Sequence, residues 1–348
     1  MTVSLNVKYG KLFTCGVDGD AAQGWLDGSM SILYSDSYSK FPIGVAHVVK
    51  SWPVDADSMI YQVDVTIDGK LYTGRTLGPN SFWRGKAKKP EVITLLSRAD
   101  GNPKLAKGLD RGVLSFPLHL APADLSGHEV CPKRSPGCSA ACLNTAGRGG
   151  MSGSGPVIQA ARKRRTNWYF TDRVSFMIAL NAEIARAARQ AIGRNLDCAI
   201  RLNATSDVPW HRIPVGRSKI SSNNAPNVMA LHPNVQFYDY TKVAKRILTE
   251  ILPPNYHLTF SLSENNAADA RDVLAHGGNV TIVLRTRAMV ELAISRGEIM
   301  IGGVLVRAPI VDGDETDLRY LDPPGSIVAL KAKGKAKYDQ TGFVVDIM

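Results

Sequence analysis

"YHLTFSLSENNAADARDVLAHGGNVTIVL", residues 256–284, decides the fold. Residues 256–262 and 279–284 are short runs rich in aromatic, β-branched and leucine side chains, and 266–276 between them carries helical spacing. A strand, a helix and a strand in succession make a parallel pair with a crossover, not a hairpin. The same unit recurs outward in both directions. "GVLSFPLHL" (112–120), "CAIRLN" (198–203), "VQFYDY" (235–240), "APIVD" (308–312) and "SIVALKA" (326–332) read as further strands. Helices are expected near 171–192, 242–251 and 287–296, the first stopped by Gly193. The expected class is therefore α/β, with a parallel βα barrel or partial barrel over residues 110–345.

The first part of the chain reads differently. "MIYQVDVTIDGKLYTGRT" (59–76) alternates apolar and polar positions around Asp68-Gly69, a hairpin signature. Residues 1–105 are expected to form a small β-rich domain, with the boundary between 95 and 112 near Gly101-Asn102-Pro103. Tyr72, Phe82 and Trp83 lie close in sequence to Arg75, Arg84 and Lys86, a grouping that stacks bases or simply packs a hairpin face.

The chain has 348 residues, 44% of them hydrophobic, which is enough for a large core and a smaller one. No apolar run is long enough to span a bilayer, and "MTVSLNVKYG" lacks the apolar segment of a signal peptide, so a cytoplasmic protein without a membrane partner is expected. A net charge of +11 and a pI near 9.4 favour a polyanionic partner, nucleic acid or a nucleotide. The densest basic run, "ARKRR" (161–165), offers Arg162, Lys163, Arg164 and Arg165 as phosphate contacts, or as a solvated surface.

After the first βα strand comes "CPKRSPGCSAACLNTAGRGG" (131–150), which holds three of the five cysteines. Cys131, Cys138 and Cys142 follow a C-x6-C-x3-C spacing, with His128 just upstream. Two centres fit. A zinc ion held by Cys131, Cys138, Cys142 and His128 would be a closed structural site. A 4Fe-4S cluster on the three thiolates would leave one iron free for S-adenosylmethionine, although radical S-adenosylmethionine enzymes use the shorter C-x3-C-x2-C spacing. The glycine-rich tail reads as a flexible connection, with neither a Lys-Ser/Thr ending nor a clear helix directly behind it.

In parallel βα folds, functional groups collect on loops leaving the C-terminal ends of strands. Those loops supply Asn203, Asp207, Asp239, Glu264 and Asp312 as catalytic candidates. Thr205, Tyr240, Ser263, Asn265, Asp314 and Arg319 are the substrate-binding candidates. Solvation and helix capping also make such loops polar, and this is the plainer account of Thr241 and Ser263.

The stretch from "LSFPLHLAPADLSGHEVCPKRSPGCSAACLNTAGRGG" through "AIRLNATSDVPW", "YHLTFSLSE" and "GGNVTIVLR" to "VDGDETDLRYLDPPGSIVALKAKGKAK" resembles the phage gene product 88 domain, over about residues 110–345. The resemblance implies a phage or prophage origin and a bacterial cytoplasm; it supplies no reaction. Three functions then stand in order: a radical S-adenosylmethionine-like enzyme acting on a nucleotide or nucleic acid, a nucleic-acid-binding protein with structural zinc, and a carboxylate-rim metal-dependent hydrolase or nuclease.

Overall fold

The structure, a computed structural model, describes residues 10–14, 31–36, 44–53, 61–67, 70–76, 82–87, 93–97, 106–215 and 226–347. The chain divides into two compact units, Met1–Val92 and Ile93–Met348. Gly101-Asn102-Pro103, the expected junction, lies outside the described residues.

In the first unit β1 (Gly10–Thr14), β2 (Ser31–Asp36), β3 (Gly44–Pro53), β4 (Tyr61–Ile67), β5 (Lys70–Thr76) and β6 (Phe82–Ala87) form a closed antiparallel barrel. β6 returns to pair with β1, so the sheet has no free edge. β4 and β5 pair from Tyr61↔Thr76 to Ile67↔Lys70, leaving Asp68-Gly69 between them as the hairpin signature requires. The side chains of Tyr72, Phe82, Trp83, Arg75, Arg84 and Lys86 lie outside the described residues.

The second unit is built on β7 (Val113–Pro117), β8 (Asp197–Arg201), β9 (Gln236–Thr241), β10 (Tyr256–Ser261) and β11 (Asn279–Leu284). The hairpin β12 (Glu298–Ile301) and β13 (Val304–Arg307) stands apart, and β14 (Ile310–Asp312), β15 (Ile327–Lys331) and β16 (Val344–Val345) complete the set. Seven strands in the order β14-β15-β11-β10-β9-β8-β7 form one parallel sheet, curled into a half-barrel and flanked by helices. This is the partial βα barrel that the alternation predicts. Pro117 is accommodated because β7 is an edge strand.

The principal helices are α1 (Pro136–Ala140), α2 (Gly155–Thr171), α3 (Arg173–Ile192), α4 (Val228–Leu231), α5 (Lys245–Leu248), α6 (Ala267–Ala275) and α7 (Arg287–Arg296). Asp172 starts α3 by accepting from Ser175 N at 3.1 Å, and Gly297 ends α7 in the left-handed region at φ 65°. The sequence reading misses α2, whose buried positions Arg162, Thr166 and Tyr169 have helical spacing but are mostly polar. A helix that buries a polar face leaves no apolar period to read.

Alternation along the strands gives the sheet two different faces. Leu114, Phe116, Ile200, Phe237, Leu258, Phe260, Ile282 and Ala329 enter the large apolar cores. The intervening Ser115, Arg201, Tyr238, Tyr240, His257 and Thr259 take the other, inner face. Along β11 the pairing changes hands: β10 pairs with Asn279, Val280 and Thr281, whereas Val283 and Leu284 pair with β16. The last strand of the chain therefore fills a split at the C-terminal end of the sheet.

Glu183 of α3 closes the unit's entry segment. Its two carboxylate oxygens accept from Leu95 N and Leu96 N, both at 2.9 Å, and both leucines are buried. Glu183→Ala strands two buried donors and is expected to lower the unfolding free energy by about 3 kcal/mol. Denaturant unfolding checks this, with Glu183→Gln recovering part of the loss through its remaining acceptor.

Candidate functional site

The cysteine loop docks at the C-terminal end of the sheet through a carboxylate. Ser135 caps α1 by accepting from Cys138 N at 3.1 Å, and Pro136 occupies the helix start. Glu264, beyond β10, accepts from Gly137 N and from Ser135 Oγ, both at 2.7 Å. Only glycine fits at 137, since a Cβ there would lie 2.1 Å from Thr341 Oγ1 and 2.8 Å from Glu264 Oε1.

The loop is not a metal centre. Among the described residues no group of three or more His, Cys, Asp or Glu side chains is arranged to hold a metal ion. Cys131 Sγ accepts from Ala123 N at 3.4 Å, and burial pushes its thiol up to about 12. Burial also raises Cys138 and Cys142, so all three favour the protonated form over the thiolate that binds metals. His128 lies flat on Phe170, with centroids 4.3 Å apart and planes 7° apart. These findings overturn the expected 4Fe-4S cluster with S-adenosylmethionine and equally the zinc alternative on Cys131, Cys138, Cys142 and His128. Spacing brings the cysteines into one loop, but packing and backbone bonds set the direction of each thiol.

The strand-end candidates are each held by partners of their own. Asn203 Oδ1 accepts from Ser206 Oγ at 2.8 Å and from Val208 N and Trp210 Nε1 at 2.9 Å, which shapes the loop after β8. Thr205 Oγ1 donates to Leu120 O at 2.6 Å. Asp207 pairs with Arg246 Nη1 at 2.5 Å and accepts from Lys242 N at 2.9 Å. Ser263 N donates to Asn266 Oδ1 at 2.7 Å, and Ser263 Oγ to Asn265 Oδ1 at 3.1 Å. Asp312 pairs with Arg287 at 2.5 Å, and Asp314 with Lys333 at 2.7 Å. Arg319, fully buried, donates from Nη2 to Thr316 O at 2.6 Å and lies 3.1 Å from Asp322.

Lys242, which the sequence reading passes over, stands among several of these groups. Its ammonium donates to Ser261 O at 3.1 Å, Ser261 Oγ at 3.0 Å and Leu262 O at 3.2 Å. Burial lowers its pKa, while Cys138, Asp207, Glu264 and Cys131 act to raise it. The signal available in sequence is its place directly after the strand in "VQFYDYTK".

A cationic mouth adjoins this cluster. On α2, Lys163 and Arg164 point outward, whereas Arg162 is buried and Arg165 half-buried. Helix geometry thus divides a run that looks uniform in sequence. Arg162 Nη1 donates to Asn144 O at 2.8 Å, and Arg165 Nε to Thr94 O at 2.7 Å. His119, just past β7, is pushed down to about 3 by burial, then by Arg162, Arg201 and Arg165, with Asp317 opposing them. Arg201 pairs with Asp317 at 2.7 Å and lies over the Tyr240 ring at 4.7 Å from its centroid. Arg162 Nε, Arg201 Nε and Tyr240 OH are buried without a hydrogen-bond partner.

Asp239 supplies a test of this end of the sheet. It accepts from Asn203 N at 2.6 Å and Tyr256 OH at 3.0 Å, yet full burial pushes its pKa up from 3.8 to about 7. Its proton therefore contributes stability that is complete below the unfolded value and is lost as pH rises through about 7. The Tm of Asp239→Asn relative to the native protein is expected to rise between about pH 5 and about pH 8, checked by calorimetry across that range.

The family model for Gene product 88 matches residues 94–347. No curated protein matches the chain. No solved structure matches it either. Among the described residues no helix is long and apolar enough to cross a membrane. The match covers nearly all of the second unit and most of the whole chain, so the chain belongs to the Gene product 88 family of phage proteins.

Proposed function

We propose that the second unit binds a phosphate-bearing ligand of nucleotide kind at the C-terminal end of its sheet. The observation that carries this is the charge around His119: three guanidiniums, Arg162, Arg165 and Arg201, act on it against one carboxylate, Asp317. Buried like charges are costly without a counter-ion. Burial lowers both Arg162 and Arg165, and Arg165 lowers Arg162 further. An anion between them relieves that repulsion, and the planar fork of arginine suits phosphate oxygens.

Arg162 and Arg165 are the proposed phosphate contacts, with Tyr240 beside them. Arg319 sets the inner face from behind. Asn203, Asp207, Asp239, Glu264 and Asp312 act as positioning residues that hold the surrounding loops. The exposed Lys163 and Arg164 extend the positive surface outward, which suits a nucleotide carried in a strand as well as a free one. The proposed working place is the cytoplasm of an infected bacterium.

Calorimetric titration with pyrophosphate and with nucleoside monophosphates tests the proposal. Binding is expected to weaken with salt, and Arg165→Gln, which keeps a donor toward Thr94, is expected to cost about 10-fold in affinity. Absence of binding, or binding indifferent to Arg165→Gln, overturns it.

A further inference from the structure

The polar groups at the rim are nearly all satisfied, but those on the inner face are not. Arg201 is paired in register with Pro117, and Ile200 with Phe237, which sets Arg201 level with Tyr238. Tyr238 is in turn level with His257, and Tyr240 with Thr259. On this face Ser115 Oγ, Tyr238 OH, Tyr240 OH and Arg201 Nε are buried with no hydrogen-bond partner. Ser115 is 1% exposed and Tyr238 0%. Buried polar atoms without partners are uncommon, and several on one face call for an occupant.

The charge state of the face narrows what that occupant is. Asp317 already answers the Arg201 guanidinium at 2.7 Å, so a second anionic group has no free cation to meet here. An apolar group would leave every one of these atoms unpaired. An uncharged group with hydrogen-bonding edges satisfies them, since one guanidinium N–H donates and three hydroxyls both donate and accept. Arg201 joins this face to the phosphate mouth, because it is also one of the three cations acting on His119.

We infer that the inner face reads the nucleobase of the bound nucleotide. Arg201 Nε and Tyr240 OH, nearest the strand ends, meet the carbonyl and ring-nitrogen edge, with Tyr238 and Ser115 behind them. This rests on the phosphate-ligand reading above and assigns the part of the ligand that the phosphate contacts leave open.

The full chain is titrated with uridine 5′-monophosphate, adenosine 5′-monophosphate, ribose 5-phosphate and pyrophosphate. At least one nucleotide is expected to bind about 10-fold or more tighter than ribose 5-phosphate. Tyr240→Phe is expected to erase most of that margin and leave pyrophosphate binding unchanged. In the ligand-free protein Tyr240→Phe and Ser115→Ala each remove an unpaired buried hydroxyl, so Tm is expected to rise by about 2 °C. Equal affinity for ribose 5-phosphate and both nucleotides overturns the inference. So does a fall in Tm on Tyr240→Phe with nucleotide affinity unchanged, which assigns the hydroxyl to ordered water. If pyrophosphate fails to bind while free uridine or adenosine binds in a Tyr240-dependent way, the phosphate reading falls and the base-reading face stands. If none of these compounds binds, both fall.

Discussion

The buried pair between Arg201 and Asp317 is the interaction on which the second unit's inner face depends. It joins residues 116 positions apart at 2.7 Å, from the end of β8 to the segment that follows β14. Burial opposes the Arg201 charge; Asp317 and the neighbouring Tyr240 and Tyr238 more than restore it, and the pKa ends above its ordinary value. Breaking such a pair from one side leaves an uncompensated buried charge, at a cost of roughly 3–5 kcal/mol. The pair also holds its segment against the sheet, where Leu318 and Tyr320 pack on Val113, Ala199 and Tyr238. The polar interior persists because its charges are matched locally and its aromatic rings cover them.

Around this centre, carboxylates that look reactive in sequence serve as anchors. Asp207 ties the loop after β8 to Arg246 and to the backbone of Lys242, and Glu264 ties the cysteine loop to the loop after β10. Asp312 belongs to Arg287 on α7. A carboxylate whose oxygens accept two or more strong hydrogen bonds contributes position rather than proton transfer. The cysteines follow the same logic. Buried thiols that keep their protons pack like small apolar side chains, and Cys131 adds only a weak contact to Ala123 N.

Family membership and chemistry speak to different parts of the chain. The Gene product 88 match begins at residue 94 and runs almost to the end, which leaves the six-stranded barrel outside it. Within the matched part, the positive charge of the chain is not spread evenly. Arg162, Arg165 and Arg201 are drawn together near His119, while Lys163 and Arg164 remain in solvent. That concentration, more than the total of +11, is what singles out an anionic ligand.

The sequence by itself determined the parallel half-barrel, because apolar periodicity is local and each strand or helix announces itself within about a dozen residues. It also determined which loops gather at the C-terminal end of the sheet, since parallel strands deliver them there. The β4–β5 hairpin was legible for the same reason, as Asp68-Gly69 needs no distant contact to suggest a turn. Helix α2 was not legible, because Arg162 and Thr166 bury a polar face that has no apolar period. The roles of the polar residues were decided only by tertiary structure. Arg201 meets Asp317 across 116 positions, Glu264 meets Gly137 across 127, and His128 turns to Phe170 and away from the thiols. A carboxylate, guanidinium or thiol takes its function from the charge, burial and hydrogen bonds around it, and in this fold those neighbours arrive from distant parts of the chain.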